Sequence, residues 1–216
     1  MMEIIILAGG QAKRLRPITD GMPKCMVPIN GKPTLQYHLD FLGKYKGINK
    51  IVLACGYRWE KIREHYGDKF IYSVEQEPIG TAGAVKLALD HIEGEEFLVL
   101  NADDINNVDI NKLIKTGSCA TVICRFHSQF GIVDLDGSLI KQFREKPLLP
   151  YWANMGMHFL NKKIKYPDVG SLEHDVLPKL ASKGQLKAFK HAGYWVTINT
   201  LKELEEAGDM LSKLNL

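Results

Sequence analysis

The sequence predicts an α/β fold in which a doubly wound, mainly parallel, Rossmann-like mixed sheet is flanked by helices. The apolar runs at 3–8, 50–55 and 96–100 are continuous, which is typical of strands buried on both faces of a parallel sheet. A further β-rich run lies at 69–74. Helical patterns separate these runs through short connections, and such strand–helix alternation is characteristic of doubly wound folds.

Helical periodicity supports the same fold class. Over 32–46 leucines recur on one helical stripe, as expected of an amphipathic helix that packs on a sheet. Further helices are predicted over 59–66 and 81–92. The last helix of the chain is predicted to begin after Thr200, because Thr200 and Glu203 have the spacing of a capping box.

The second half of the chain is richer in strands. "CATVICRF", "GIVDLD", "LIKQFRE" and "NMGMHFLN" are predicted to be consecutive strands, with a turn at Asp136-Gly137. A helix over "SLEHDVLPKLASK" follows, and "LKAFKH" and "YWVTI" are predicted to form a closing pair. No linker or repeat interrupts the chain, so a single domain over 1–216 is predicted, with a front half of about 1–105 and a back half of about 106–216.

Composition and charge argue against several classes of protein. The net charge is +3, from 28 Lys+Arg and 25 Asp+Glu, so neither nucleic acid nor a membrane surface is an expected partner. No apolar run approaches the roughly 18 residues of a membrane span, and the N-terminus lacks signal-peptide features, which predicts a cytoplasmic location. The four cysteines are predicted to be reduced thiols, with Cys119 and Cys124 on opposite faces of one strand.

The first strand ends in a glycine turn that cations follow. "IIILAGGQAKRLRP" places Lys13, Arg14 and Arg16 directly after Gly9 and Gly10. A glycine turn at the carboxyl end of a parallel strand is where doubly wound folds bind ligands, and its free N–H groups can hold phosphate oxygens. The GxGxxG and GxxxxGK[ST] patterns are both absent. These residues alone leave a tight turn with solvated cations as an alternative to an anion site.

The longer stretch "LAGGQAKRLRPITDGMPKCMVPINGKPTL" resembles the N-terminal signature of the sugar-phosphate nucleotidyltransferases, also called nucleoside-diphosphate-sugar pyrophosphorylases. The resemblance implies the nucleotide-diphospho-sugar transferase fold. It also implies transfer of a nucleotidyl group from a nucleoside triphosphate to a sugar 1-phosphate, with nucleotide bound by the front half and sugar phosphate by the back half. No hexapeptide repeat is present, so the β-helix tail of some relatives is not expected.

The resemblance assigns nucleotide-side roles to several residues. Arg14 would grip the β- and γ-phosphates, Lys24 would reach the α-phosphate, and Lys13 would add charge where the family has a hydroxyl. Ala12 stands where the family has glycine, so an ordinary backbone conformation is expected there. Contacts to the nucleotide are also implied for Leu7, Ala8, Gly9, Gly10, Gly80 and Thr81.

A magnesium site is implied where the fourth strand ends. Asp103 of "LNADD" matches the first metal ligand of the family, whereas Asp104 is expected to be solvated or capping. Many relatives place an aspartate where "YWVTINT" has Thr197, so Asn199 is the predicted second ligand. Carboxylate and amide oxygens suit a hard cation, and Mg²⁺ is therefore the predicted cofactor.

The sugar side is implied by "FGIV", "REKP" and "NMGMHF". The backbone of Gly131 and the side chain of Glu145 would meet sugar hydroxyls, and Lys146 would bind the 1-phosphate. Asn154 and Gly156 would line the sugar pocket.

The nucleobase is predicted from Glu75. In uridylyl- and thymidylyltransferases of the family a glutamine lies five residues before the glycine that aligns with Gly80, and here that position is Glu75. An ionised carboxylate only accepts hydrogen bonds, which matches the adjacent N1–H and 2-amino donors of guanine. GTP is therefore the predicted donor, with a mannose- or heptose-type 1-phosphate as acceptor by family association. If Gln76 contacts the base instead, UTP or dTTP is expected.

Other functions stay open at this point. One is uridylyl or thymidylyl transfer to a glucose or amino-sugar 1-phosphate. Another is a catalytically silent relative that binds nucleotide or sugar phosphate as a regulatory subunit. A third is a cytidylyltransferase or a molybdopterin-type guanylyltransferase with the same front half. The sequence also leaves open whether the chain forms a homo-oligomer.

Overall fold

The computed structural model describes residues 1–216, and strands alternate with helices through the first half of the chain. In chain order the strands are β1 (Met2–Leu7), β2 (Pro28–Ile29), β3 (Lys32–Pro33), β4 (Ile48–Cys55), β5 (Ile71–Val74), β6 (Glu96–Asn101), β7 (Asp104–Asn106), β8 (Ala120–His127), β9 (Ile132–Asp136), β10 (Leu139–Arg144), β11 (Leu148–Asn161), β12 (Lys187–His191) and β13 (Trp195–Thr197). The α-helices are α1 (Thr34–Leu42), α2 (Trp59–Tyr66), α3 (Gly80–Ala88), α4 (Ile110–Lys115), α5 (Leu177–Ser182) and α6 (Leu201–Lys213).

Seven strands form the central sheet in the spatial order β12-β8-β11-β6-β1-β4-β5. β1 lies between β4 and β6 and is parallel to both, with Ile5 opposite Val52 on one side and Val99 on the other. Only β11 runs antiparallel to its neighbours, β6 and β8. The predicted fold class, a mainly parallel mixed sheet flanked by helices, is confirmed.

Most predicted elements are present with shifted ends. The helix predicted over 32–46 is α1, which begins after Pro33 because proline lacks an N–H and fits best before or in the first turn. The helix predicted over 81–92 is α3 followed by a short 3-10 turn at Leu89–His91. The capping box of Thr200 and Glu203 is confirmed at the start of α6.

The predicted closing pair is wrong. β12 pairs in parallel with β8 at the edge of the large sheet, whereas β13 pairs antiparallel with β7 in a separate two-stranded sheet. Each short strand therefore completes the hydrogen bonds of a strand from elsewhere in the chain, a long-range pairing that local sequence patterns do not reveal. α4, which the sequence did not predict, is capped by Asp109, whose side chain accepts a hydrogen bond from Lys112 N.

Helices cover both faces of the sheet, and alternate residues of β1 show how. Ile4 and Ile6 pack with α1, α2 and α4 on one face, whereas Ile5 packs with α3 and α5 on the other. All three isoleucines are fully buried, and each such side chain contributes roughly 1.5–3 kcal/mol to stability. A third cluster packs α6 against the loop after β1 and against Val196 of β13, which fixes the C-terminal segment beside that loop.

β9 and β10 form a hairpin that stands apart from this core, and we call residues 130–147 the arm. The predicted turn at Asp136-Gly137 is confirmed, with Gly137 in the left-handed region at φ 59°. Apolar side chains on the arm are exposed: Leu135 is 64% exposed, Ile140 59% and Phe143 63%. The arm is therefore held mainly by its own cross-strand pairs.

All four cysteines are free thiols, as predicted. Cys124 packs in the cluster on the α1 face of the sheet and Cys119 against the cluster on the α3 face, so the two thiols lie on opposite faces. None of the helices combines the length and the apolarity that crossing a membrane would need.

Candidate active site

A cavity of about 680 Å³ opens where the parallel strands β1, β4, β5 and β6 end. This is the edge at which open α/β sheets bind ligands. Its walls come from the loops that follow those strands, from α3 and from the segment after β13. The residues predicted from the sequence that line it are Leu7, Ala8, Gly9, Gly10, Arg14, Lys24, Glu75, Gly80, Thr81, Asp103 and Asn199.

The glycine loop after β1 turns sharply into 3-10 structure. Ala8 N donates to Ala54 O at 2.8 Å, and Lys24 N donates to Gly10 O at 3.4 Å, so the loop is tied to the sheet at one end and to the Lys24 segment at the other. Arg14 lines the cavity, but Lys13 does not. Both side chains are exposed. Of the two cations predicted to contact the nucleotide, Arg14 therefore lies at the cavity and Lys13 lies on the open surface.

The expectation of an ordinary backbone at Ala12 is wrong. Ala12 has φ 46° and ψ 50°, in the left-handed region. In this conformation its carbonyl accepts hydrogen bonds from Leu15 N at 2.9 Å and from the Thr19 hydroxyl at 3.0 Å. The fold thus imposes on alanine the conformation that glycine adopts without strain.

Lys24 brings the two predicted metal ligands together. Its ammonium group donates to Asp103 Oδ2 and, at 2.8 Å, to Asn199 Oδ1. Asn199 is oriented by Thr197, whose hydroxyl accepts from Asn199 Nδ2 at 2.8 Å. Thr197, which replaces the family's aspartate, therefore turns the Asn199 carbonyl oxygen toward the cavity. The Asp103 carboxylate oxygen and the Asn199 amide oxygen therefore both contact the Lys24 ammonium group at the edge of the sheet.

Asp104 is neither solvated nor capping, contrary to the sequence-based expectation. It is 8% exposed and accepts hydrogen bonds from Trp195 Nε1 at 2.9 Å and from Asn101 Nδ2 at 3.1 Å. Burial, with the neighbouring Asp103 charge, raises the pKa of Asp104 to about 7. Because Asp104 also pairs with Thr197 across β7 and β13, it connects the Asp103 strand end to the segment that carries Asn199.

Glu75 lines the cavity and comes directly after β5. Its backbone N–H donates to Cys55 O at 2.9 Å, and Glu75 Oε2 accepts from Ile79 N at 3.3 Å. Burial raises the pKa of Glu75 above its ordinary value. A Cβ atom at Gly56 would lie 2.5 Å from Glu75 Oε1, so a side chain there would displace the Glu75 carboxylate. Gly56, which directly follows the buried strand β4 in "LACGY", was not among the residues predicted for the site.

Gly80 and Thr81 connect α3 to the back half of the chain. Gly80 has φ 76°, and a Cβ there would clash with the carbonyl of Gly170. The Thr81 hydroxyl donates to Glu173 Oε2 at 3.0 Å and accepts from Leu172 N at 2.8 Å. Burial opposes ionisation of Glu173, but hydrogen bonds from Ser171 and Thr81 outweigh it and hold the pKa of Glu173 below its ordinary value.

The predicted sugar-side residues do not line the cavity. Gly131 and Glu145 lie together on the arm, where a Cβ at Gly131 would be 3.1 Å from Glu145 Oε2. Lys146 is exposed, with φ 44°, and its carbonyl accepts from His127 Nδ1 at 2.9 Å.

Asn154 and Gly156 lie in β11, beside the end of β6. Gly156 has φ 66°, and a Cβ there would clash with the side chain of Asn101, which lines the cavity. The structure therefore places this pair next to the cavity wall and the arm residues farther out.

A glycine loop, cavity-lining cations and an oxygen-rich strand end together define a nucleotide-binding α/β enzyme. The chain belongs to the nucleotidyl transferase family, because the family model described as "Nucleotidyl transferase" matches residues 3–213. The resemblance found in the sequence is thereby confirmed.

Relatives and solved structures agree with this family. A D-glycero-alpha-D-manno-heptose 1-phosphate guanylyltransferase from Campylobacter jejuni is 36% identical over 173 residues, covering 76% of this chain and 77% of the relative. A "Probable glucose-1-phosphate cytidylyltransferase" from Bacillus subtilis is 30% identical, covering 97% of this chain and 96% of the relative. Among solved structures, HddC from Yersinia pseudotuberculosis complexed with GMP-PN has a TM-score of 0.76 at 29% identity, covering 98% of this chain and 100% of that chain.

Proposed function

We propose that this nucleotidyltransferase moves a guanylyl group from GTP to a mannose- or heptose-type sugar 1-phosphate and releases pyrophosphate. The family and the named relatives support a sugar 1-phosphate as acceptor. The choice of guanine as the base and the requirement for Mg²⁺ are proposed from the residues of the cavity.

Glu75 is the observation that carries the choice of base. Its carboxylate lines the cavity next to the backbone of Gly9 and Gly56, which carry no side chain. Two acceptor oxygens match the N1–H and 2-amino donors of guanine, whereas uracil presents a carbonyl oxygen that a carboxylate repels. Such a pair discriminates by roughly 1–3 kcal/mol. The Campylobacter guanylyltransferase and the GMP-PN complex support this choice, and the Bacillus relative favours CTP as its rival.

Arg14 and Lys24 supply positive charge to the phosphates. In the proposed reaction an oxygen of the sugar 1-phosphate attacks the α-phosphorus in line, and the bond from that phosphorus to the bridging oxygen breaks as pyrophosphate leaves. In the structure the Lys24 ammonium group donates to Asp103 and Asn199, and it would turn from these two oxygens to the α-phosphate when they hold a metal ion. Removal of one preorganised donor from such a site costs about 2.7–4 kcal/mol of barrier.

The residues around Lys24 fit a magnesium ion. Asp103 Oδ2 and Asn199 Oδ1 already converge on one cation, and both are hard oxygen ligands. When bound, Mg²⁺ would neutralise charge that develops on the phosphate oxygens. Two protein oxygens alone make a weak site, so phosphate and water oxygens would complete the coordination.

The arm is proposed to bind the acceptor. The Lys146 ammonium would pair with the 1-phosphate, and Glu145, beside Gly131, would accept hydrogen bonds from sugar hydroxyls. Asn154 would contact the sugar from the side of β11. No protein nucleophile is needed, because the acceptor phosphate attacks directly.

Pyrophosphate release tests the proposal. The wild type is assayed with GTP, CTP, UTP and dTTP against mannose, heptose and glucose 1-phosphates, with and without Mg²⁺. We expect GTP to be preferred at least about tenfold, and Glu75→Gln to lose most of this preference. Gln76→Ala is the matched control, because Gln76 lines the same cavity and should leave the preference intact.

Three outcomes contradict parts of the proposal. Equal or better use of UTP or CTP by the wild type would rule out the guanine assignment. A preference that depends on Gln76 rather than on Glu75 would move base recognition to the neighbouring residue. Nucleotide binding without product across the whole grid would indicate a regulatory nucleotide-binding protein instead of an enzyme.

A further inference from the structure

A row of hydrogen-bonded side chains lies behind Asn154. His158 Nδ1 is 2.9 Å from Thr121 Oγ1, and the Thr121 hydroxyl is 2.9 Å from Asn154 Oδ1. His158 is 0% exposed and Thr121 7% exposed, whereas Asn154 is exposed. His158 and Thr121 face each other across the antiparallel pair β11 and β8. The row therefore runs from the core to the surface beside the cavity.

The donor and acceptor of each hydrogen bond in this row can be assigned by starting from the backbone N–H of Gly156. Gly156 N–H points at the Asn154 amide at 3.2 Å, and a backbone N–H can only donate, so the facing atom is the acceptor Oδ1. Thr121 also meets Oδ1, so its single hydroxyl proton is donated there. His158 Nδ1 must then carry a proton and donate it to Thr121 Oγ1.

The other ring nitrogen agrees with this assignment. His158 Nε2 is fully buried and has no hydrogen-bond partner. Burial lowers the pKa of His158 to about 4, although the Glu173 charge acts in the opposite direction. The imidazole is therefore neutral at ordinary pH, with one proton on Nδ1 and a bare lone pair on Nε2.

We propose that His158 and Thr121 are positioning residues that fix the orientation of the Asn154 amide, so that only its N–H donors face the acceptor sugar. This inference rests on the proposed sugar-side role of Asn154. Both lone pairs of Oδ1 are used by Thr121 and Gly156, which leaves the two Nδ2 protons for the substrate. The sugar atom that meets Asn154 must therefore be a hydrogen-bond acceptor, which makes this amide a determinant of sugar specificity.

Steady-state kinetics test the positioning role. Thr121→Val keeps the shape of the side chain but cannot donate to Asn154, and we expect it to raise KM for mannose 1-phosphate by about tenfold. KM for GTP should be unchanged. Thr121→Ser restores the hydroxyl and should return KM for the sugar phosphate close to the wild-type value. If the role acts through Asn154, the effects of Thr121→Val and Asn154→Ala will be non-additive in the double variant.

Nitrogen NMR of the histidines tests the proton assignment without any substrate. We expect the His158 ring to be neutral and protonated on Nδ1 in the wild type. A proton on Nε2 would overturn the inference, as would additive kinetic effects or an equal rise in KM for GTP in Thr121→Val. Failure of the wild type to use any sugar 1-phosphate would instead overturn the proposed function. Thermal unfolding of each variant separates these outcomes from loss of the fold.

Discussion

The proposed nucleotide side and the proposed sugar side of the site are built in different ways. On the nucleotide side, loops from four strand ends converge on one cavity, and its key groups contact each other, as Lys24, Asp103 and Asn199 do. On the sugar side, Glu145 and Lys146 lie on an exposed hairpin that contributes nothing to the cavity wall. The parallel sheet organises the first region, whereas the second depends on the cross-strand pairs of β9 and β10.

Under the proposed function, this difference would separate the residues that act on the reacting phosphates from those that bind the acceptor. In the proposed reaction the charges near the cavity would act on the phosphates that react, and Lys24 already contacts Asp103 and Asn199 before substrate binds. Side chains on the arm are solvated until substrate contacts them, so each has a smaller effect and one that is specific to the acceptor. Substitutions in the two regions should therefore change different kinetic constants.

The largest effect is expected at Asp103. Asp103→Ala removes the predicted metal ligand and a partner of Lys24, and we expect kcat to fall by about 10³-fold. Because Asp103 is not part of the buried core, the free energy of unfolding should change little. Pyrophosphate release measures the first effect and urea unfolding the second. Asp90→Ala, an exposed carboxylate that does not line the cavity, is the control. Full activity in Asp103→Ala would refute the assignment.

On the arm, Lys146→Ala should change binding of one substrate only. We expect KM for mannose 1-phosphate to rise by about 10- to 100-fold, because a charge-assisted contact to the phosphate is lost. KM for GTP should change by less than about twofold, because Lys146 does not line the cavity. The control is Lys141→Ala on the same arm, where Lys141 pairs with Asp136 at 3.0 Å. An equal rise in both KM values would show that the two regions are not separate.

The buried His158, which lies behind Asn154 in β11, should make the free energy of unfolding depend on pH. Its pKa in the folded chain is lowered to about 4, whereas an unfolded histidine titrates near 6.5. Between these values the unfolded chain binds the additional proton at His158, so the contribution of His158 to the free energy of unfolding falls as pH falls from about 6.5 to 4. At pH 4.5 this loss is about 2–3 kcal/mol.

Urea unfolding at pH 7.5 and pH 4.5 measures the effect. His158→Asn keeps a donor near the position of Nδ1 but does not titrate, so it should lose about 2–3 kcal/mol less than the wild type over this interval. The exposed His65 provides the control substitution, His65→Asn. An identical loss in His158→Asn and the wild type would show that His158 is not buried in its neutral form.

Local patterns predicted much of this molecule. The strands at the centre of the sheet are continuous apolar runs, and the ordered motifs placed eleven of the named site residues at one cavity. Long-range pairing was not predictable in the same way. β12 and β13 each pair with a distant strand, and the burial of Asp104 depends on Trp195, 91 positions along the chain. Neither contact leaves a signal in the adjacent residues.

Ala12 shows a different reason why the sequence-based prediction failed. The backbone preference of alanine predicted an ordinary conformation, but tertiary contacts hold the residue in the left-handed region. Two donors, Leu15 N and the Thr19 hydroxyl, converge on the Ala12 carbonyl, and they hold the residue at φ 46°. The left-handed conformation costs alanine roughly 1–2 kcal/mol. The surrounding hydrogen bonds offset that cost.

Ala12→Gly tests this account and should have the smallest effect. Glycine adopts the left-handed region without strain but loses about 0.5–1 kcal/mol more conformational entropy on folding, so we expect a net stabilisation of about 0.5 kcal/mol. Urea unfolding measures it, and Ala84→Gly within α3, where glycine should destabilise by about 1 kcal/mol, is the control. Because the loop geometry is unchanged, KM for GTP should stay at the wild-type value. If Ala12→Gly destabilises the protein as much as Ala84→Gly does, the left-handed conformation at Ala12 is wrong, and the loop after β1 has the ordinary backbone that the sequence predicted.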